Sequence, residues 1–142
     1  MSTEYEVIVR IPTLAEYRRL CDSVGWTSYM NYEVAEESLS RSLFGVVIQH
    51  KDDIIGMGRV IGDGQIYFYV QDVAVHPDHQ NRGIGKLILT EITNYLKVHA
   101  PEKAFIGLFA AQGKETFYEQ YGFHHHEGMT GMFGVVHNGE IM

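Results

Sequence analysis

One stretch constrains this chain more than any other. From Ile66 to Ala100 it reads IYFYVQDVAVHPDHQ, then NRGIG, then KLILTEITNYLKVHA. An aromatic and β-branched run meets a short polar corner with two glycines, and Leu87, Ile88, Glu91, Ile92, Tyr95, Leu96 and His99 then recur at helical spacing. A strand that turns through glycine into a helix makes an anion site from backbone alone. The N–H groups of the first helical turn point at the ligand, and the helix dipole favours negative charge there.

The length, 142 residues, suits one domain with one core, and we expect a single domain over 1–142. A formal net charge of −7 argues against a nucleic-acid partner, because such binding depends on neutralising phosphates. A negative surface weakly favours a cationic or amine substrate. No apolar run reaches the ~20 residues of a membrane helix, so no membrane partner is expected. The acidic, strand-like MSTEYEVIVRIPT does not read as a signal peptide. The lone Cys21 cannot form an internal disulfide, and with six methionines it suits a reducing interior, so the expected location is cytoplasmic.

In chain order, Glu4 to Ile11 reads as a strand. Thr13 to Glu16 has capping-box spacing, and Leu14, Tyr17, Leu20, Cys21 and Val24 follow at helical spacing up to Gly25. Trp26 to Tyr32 is an aromatic connection that either covers one end of the core or lines a pocket. Asn31 is placed to cap a second helix from about Tyr32 to Ser42. Phe44 to His50, Ile54 to Ile61 and Ile66 to Val75, separated by Lys51-Asp52-Asp53 and Gly62-Asp63-Gly64, form an antiparallel meander. Gly56 and Gly58 weaken the middle strand or mark a bulge or a close approach. Beyond Pro101, the apolar Ala104 to Phe109 reads as a buried strand parallel to its neighbour. Glu115 to Tyr121 is a short helix, Phe123 starts a strand, and a final strand is expected around Gly131 to Val136. The order is β-α-α-β-β-β-α-β-α-β-β. It is an α+β fold with a mostly antiparallel sheet and one parallel junction, between the fourth and fifth strands. Such a junction splays easily, and ligands bind at such breaks.

Two glycines alone are weak evidence. A dinucleotide fold wants G-x-G-x-x-G and an acidic residue ~20 positions on. Here Gly83 and Gly85 lead into Lys86-Leu87-Ile88, and the apolar AFIGLF stands where the acid would be. A Walker loop wants Ser or Thr after the lysine, where this chain has Leu87.

Gln80-Asn81-Arg82-Gly83-Ile84-Gly85 resembles the Q/R-x-x-G-x-G/A signature of the GNAT N-acetyltransferase superfamily, in its usual place between a strand and a helix. Phe117-Tyr118-Glu119-Gln120-Tyr121-Gly122-Phe123 is similar to that family's second segment, F-Y-x-x-x-G-F. The element order agrees over nearly the whole chain. The resemblance implies acetyl-CoA as cosubstrate and no metal. It implies that Gln80, Asn81, Arg82, Gly83, Ile84, Gly85 and Lys86 hold the pyrophosphate, chiefly through backbone amides. It implies that Val73, Ala74 and Val75 offer backbone groups to the pantetheine and an amide to the thioester carbonyl. Tyr118 is then the acid that protonates the departing thiolate, and Phe117 packs on the core or cofactor. Gln112 is a substitute for the family's asparagine after the fifth strand.

The base is not evident. Some relatives carry a glutamate where this chain has Tyr69, others one near Leu108. Asp72 is the nearest acid, as a base or through a water relay. Strict alternation puts it on the face opposite Tyr69, Gln71 and Val73, unless a bulge reverses it. His124-His125-His126, read as a strand, point to opposite faces and do not suggest a metal site. Trp26, Tyr29 and Tyr69 are candidates to line the acceptor pocket. The expected partner is a small-molecule amine that takes the acetyl group directly, in a ternary complex. The alternatives are a catalytically inactive acyl-CoA-binding or sensory module and a protein or peptide N-acetyltransferase. The apolar GMTGMFGVV tail permits a homodimer.

Overall fold

Local sequence sets the entry to the first unit. Strand β1 (Tyr5–Ile8) leads to helix α1 (Leu14–Ser23) through a complete capping box. The Thr13 hydroxyl accepts from the Glu16 amide at 3.2 Å, and the Glu16 carboxylate accepts from the Thr13 amide at 2.9 Å. Arg10 grips the same carboxylate with two donors, at 2.8 and 3.0 Å, and this contact holds Glu16 below the usual carboxylate range. The computed structural model describes residues 4–142. The chain divides into two compact units, Met1–Leu108 and Phe109–Met142.

In the first unit, helix α2 (Ala35–Ser40) is followed by β2 (Phe44–His50), β3 (Asp53–Gly62) and β4 (Tyr67–Val75). Helix α3 (Ile84–His99) then crosses over to β5 (Phe105–Gly107). The five strands form one sheet in the order β1-β2-β3-β4-β5. All neighbours are antiparallel except β4 and β5, which are parallel as the sequence predicts. Helix α2 is shorter than expected. The Asn31 side chain accepts from Glu33 N–H in a local turn, which occupies the residues expected to start the helix. Strand β5 is also less buried than its apolar run implied. It is an edge strand, and Phe105 lies exposed.

The sheet is covered on both faces. Tyr17, Leu20 and Cys21 of α1 and Ala35 and Leu39 of α2 pack with Val47, Ile54, Met57 and Ala74. Gly58 follows Met57 and therefore faces the other way, toward α3. A Cβ there would lie 2.6 Å from Ile88 and 3.0 Å from Ile92, so this glycine lets α3 seat closely on the strand. Ile84, Ile88, Leu89, Ile92 and Leu96 form the buried face of α3.

Strand β4 carries a bulge. Between the pairs Met57↔Ala74 and Arg59↔Gln71, β3 spends one residue and β4 spends Asp72 and Val73. Asp72 has φ +59°, a left-handed conformation that side chains other than Asn and Asp rarely adopt. Register places Tyr69 and Gln71 on the face of Ile61 and Arg59, and the bulge adds Asp72 to that face. Strict alternation is thus reversed at this point.

In the second unit, helix α4 (Glu115–Glu119) is followed by a two-stranded hairpin, β6 (Val136–His137) and β7 (Glu140–Ile141). Two expectations are corrected. No strand starts at Phe123; His124 to His126 lie exposed beside a turn closed by a lone His126–Met129 bridge. The final strand meets the expected Gly131 to Val136 only at its end: β6 begins at Val136, and Val135 exchanges backbone hydrogen bonds with Met142. Asn138 and Gly139 have φ of +51° and +78°, the pair that a tight hairpin turn needs, and this turn sets the register.

Candidate active site

The corner is built as its sequence implies. After β4, Pro77–His79 forms a short 3₁₀ turn; Asn81 and Gly83 then adopt left-handed φ of +63° and +80°. Gly83 is the N-cap of α3 and has no side chain to offer, so no side chain caps the helix. A Cβ on Gly83 would meet nothing within 4 Å, so the glycine serves conformation and open access, not packing. The amides at the start of this 16-residue helix suit a polyanion such as a pyrophosphate. The Ile84 side chain is buried in the core, which leaves only its backbone for a ligand. Gln80 braces the corner by donating its side-chain N–H to Val75 O at 3.0 Å. Lys86 is exposed.

Arg82 donates to the Tyr5 hydroxyl at 3.2 Å and stands 4.0 Å from Glu4. The same hydroxyl is 2.9 Å from His79 Nδ1, and the His79 ring lies 4.7 Å from that of His50. Burial, with His50 and Arg82 close by, lowers the His79 pKa. This aromatic and imidazole buttress behind the corner draws on β1, β2 and the 3₁₀ turn, and spacing in the sequence does not reveal it.

Beside the corner, β4 outruns its parallel neighbour. The pairing runs Tyr67↔Phe105, Phe68↔Ile106 and Tyr69↔Gly107, and β5 ends there while β4 continues to Val75. The last six residues of β4 thus leave the β4–β5 ladder, which suits strand-like pairing by an extended amide-bearing ligand. The free α3 N-terminus and the unpaired edge of β4 thus lie in the same unit. Val73 turns its side chain toward Gly58 and α3, and Ala74 is buried in the α1 and α2 core.

Asp72, expected near the acceptor, points into the interior. It is 7% exposed and its Oδ2 accepts from Arg59 Nε at 2.7 Å and from the Tyr17 hydroxyl at 3.0 Å. Gln71 Nε2 lies 3.5 Å from Oδ1. Arg59 is itself 6% exposed and reaches Ser38 and Ser42 with its other nitrogens. Burial and the Asp72 charge push the Tyr17 hydroxyl far above the ordinary tyrosine range. Cys21, in the same core, is pushed up to about 11, first by burial. Arg59 was missed in the sequence, where a signal existed: a lone charge in the apolar run Ile54 to Ile61 needs a buried partner.

The expected acceptor residues differ in their surroundings. Trp26 packs against the α1 and α2 core with Met30 and Tyr32, while Tyr29 is 81% exposed. Tyr69 lies on β4, and burial, with Asp72 near, raises its pKa. In the second unit, Tyr118 and Phe117 sit on α4 with ring centroids 5.1 Å apart, and Phe117 also meets Tyr121 at 5.5 Å. Burial raises the Tyr118 phenol above its usual range. Gln112 lies in the turn before α4. Among the described residues no three histidine, cysteine, aspartate or glutamate side chains converge as metal ligands, and no helix is long and apolar enough to cross a membrane.

The comparisons agree with this geometry. The acetyltransferase (GNAT) domain model matches residues 15–138. An uncharacterised N-acetyltransferase, ycf52, of Pyropia yezoensis is 33% identical over 124 residues, covering 84% of this chain and 70% of the relative. A protein of meticillin-resistant Staphylococcus aureus, described as a probable acetyltransferase, superposes with a TM-score of 0.85 at 34% identity, covering 94% and 99% of the two chains. A GNAT-family acetyltransferase of Streptococcus pneumoniae gives 0.79 at 28% identity, covering 93% and 98%. The chain belongs to the GNAT family of N-acetyltransferases, acyltransferases whose fold uses acetyl-CoA.

Proposed function

We propose that the chain transfers an acetyl group from acetyl-CoA directly to the primary amine of a small molecule, in a ternary complex and without a covalent enzyme intermediate. The observation that carries the reading is the pairing of the uncapped α3 N-terminus with a β4 that outruns β5. Bound acetyl-CoA supplies an activated thioester with a thiolate leaving group. The amides from Arg82 to Lys86 hold the pyrophosphate, and the backbone of Val73 to Val75 aligns the pantetheine. Tyr118 Oη carries the proton destined for the leaving sulfur, and its raised pKa keeps that proton in place through the neutral range. The incoming ammonium loses its proton through ordered water near Tyr69 and Gln71. The family match spans both compact units, which supports one catalytic domain over 1–142. The acidic charge supports an amine acceptor, and the buried lone thiol supports a cytoplasmic location. Exposed Met132, Phe133 and Ile141 favour a homodimer.

Calorimetry with acetyl-CoA and thiol release over an amine panel test this reading. Binding without release on any amine would leave a CoA-binding module, and release only on peptides would move the substrate class. Tyr118→Phe should lower turnover at least several-fold with little change in acetyl-CoA affinity. Unchanged turnover would remove Tyr118 from the acid role. The sign of the pH effect follows from the same group. The acid works protonated and its pKa is raised, so the alkaline limb of turnover that it causes should lie above the ordinary tyrosine value of 10.

A further inference from the structure

Asp72 is the buried non-glycine residue at which the backbone turns left-handed inside a strand. A glycine would adopt φ +59° without a Cβ penalty. The chain instead carries an aspartate, whose carboxylate meets an arginine on β3 and a tyrosine 55 residues earlier on α1. Arg59 then extends the contact to α2, through Ser38 O and Oγ, and to Ser42 Oγ just beyond it. One ion pair thus ties the bulge of β4 to β3, α1 and α2. The bulge adds a residue to β4 and so resets which of its amides turn to the strand's free edge. Val73 and Ala74 follow directly.

We infer that the Arg59–Asp72 pair, clasped by Tyr17, Ser38 and Ser42, is a positioning device for acetyl transfer: it locks the β4 bulge so that the backbone at Val73 and Ala74 presents its amide to the acetyl end of the cosubstrate. The inference rests on the acetyl-CoA reading above. Arg59 and Asp72 are both buried, away from solvent and so from an incoming reactant. Asp72 Oδ2 is committed to Arg59 and Tyr17, and Oδ1 lies 3.5 Å from Gln71 Nε2, so the carboxylate has no direct reach to an acceptor proton, as a general base must have. The corner anchors the pyrophosphate separately, through amides that the pair does not touch. Loss of the pair should therefore separate turnover from affinity, because a small misplacement of the reacting centre costs rate much more than binding.

The test uses Asp72→Asn, which keeps a side chain tolerated at left-handed φ, and the double variant Arg59→Gln with Asp72→Asn, which leaves no unpaired buried charge and covers failure of the single variant to fold. The readouts are acetyl-CoA binding by calorimetry, and turnover against pH with the best acceptor among phenethylamine, spermidine and glucosamine. Amide NMR spectra of the free protein are recorded alongside. We expect acetyl-CoA affinity to hold within about threefold and turnover to fall about tenfold or more, with the shape of the pH profile retained. The amide signals of Val73 and Ala74 should shift, while those of Arg82 to Lys86 stay. Unchanged turnover in a folded variant would overturn the inference, as would loss of one limb of the pH profile, the mark of a general base. If none of the three amines is accepted, unmoved Val73 and Ala74 signals overturn it. Wild-type protein that neither binds acetyl-CoA nor releases thiol would instead sink the parent reading.

Discussion

Gly83 and Asp72 solve the same backbone problem in opposite ways. Both take positive φ, +80° and +59°, beside the same proposed cosubstrate site. Gly83 does so at no steric cost, with nothing within 4 Å of its missing side chain. Asp72 does so against its own Cβ and is held by a carboxylate that reaches Arg59 and Tyr17. The corner is thus a local construction whose geometry comes from residue type. The bulge is a tertiary construction whose geometry comes from partners on other elements. Substitutions should consequently act at the corner on binding and at the bulge on stability and alignment.

The largest effect is expected where the tertiary construction is opened from its cationic side. Arg59→Met leaves Asp72 buried without its counter-ion, which typically costs about 3–5 kcal/mol. Denaturant unfolding measures it, and a loss below about 1 kcal/mol would mean that the pair behaves as a surface ion pair and that the contrast fails. Gly83→Val is the matching change at the corner. A β-branched residue at positive φ costs about 1–2 kcal/mol, and its side chain stands where a phosphate must approach the amides. Acetyl-CoA affinity should therefore fall about tenfold or more while the protein stays folded, and calorimetry reads this directly. A variant that lost stability as Arg59→Met does, yet bound normally, would show that the corner is tertiary as well.

The same contrast explains what the sequence discloses. The capping box of α1, the meander, the glycine corner and the parallel β4–β5 junction are all legible, because each rests on neighbours in sequence or on a single period. Asp72 was legible only as a nearby acid. Its direction depends on a bulge, the bulge on Arg59, and Arg59 on helices α1 and α2, so no local pattern encodes it. The Gly131 to Val136 expectation meets the hairpin only at its end, for a different reason. The apolar run is longer than the strand, and the Asn138-Gly139 turn that follows it sets the hairpin register. Acceptor residues were the least legible. Aromatic type alone does not separate Trp26, which packs on the core, from Tyr29, which stands in solvent.

Helix α1 lets the comparison be made within one element, and here the expected effect is smallest. Its start is local, through Thr13 and Glu16, and one turn later Tyr17 enters the tertiary network at Asp72. Thr13→Ala should cost about 1 kcal/mol of stability, the usual worth of an N-cap hydroxyl. It should leave acetyl-CoA affinity unchanged, because the corner owes nothing to this helix. Glu16 adds a pH signature. Its pKa is lowered in the folded protein, first by Arg10, so its contribution is complete above the ordinary value of 4.5 and is lost as pH falls below it. Thr13→Ala should keep most of that acid-side loss, because Arg10 is its main cause, whereas Arg10→Met should flatten it. Melting temperatures of the three proteins between about pH 3 and pH 6 decide the matter. If Thr13→Ala also moved turnover as Asp72→Asn is expected to, the start of α1 would have to be counted as part of the clasp on β4.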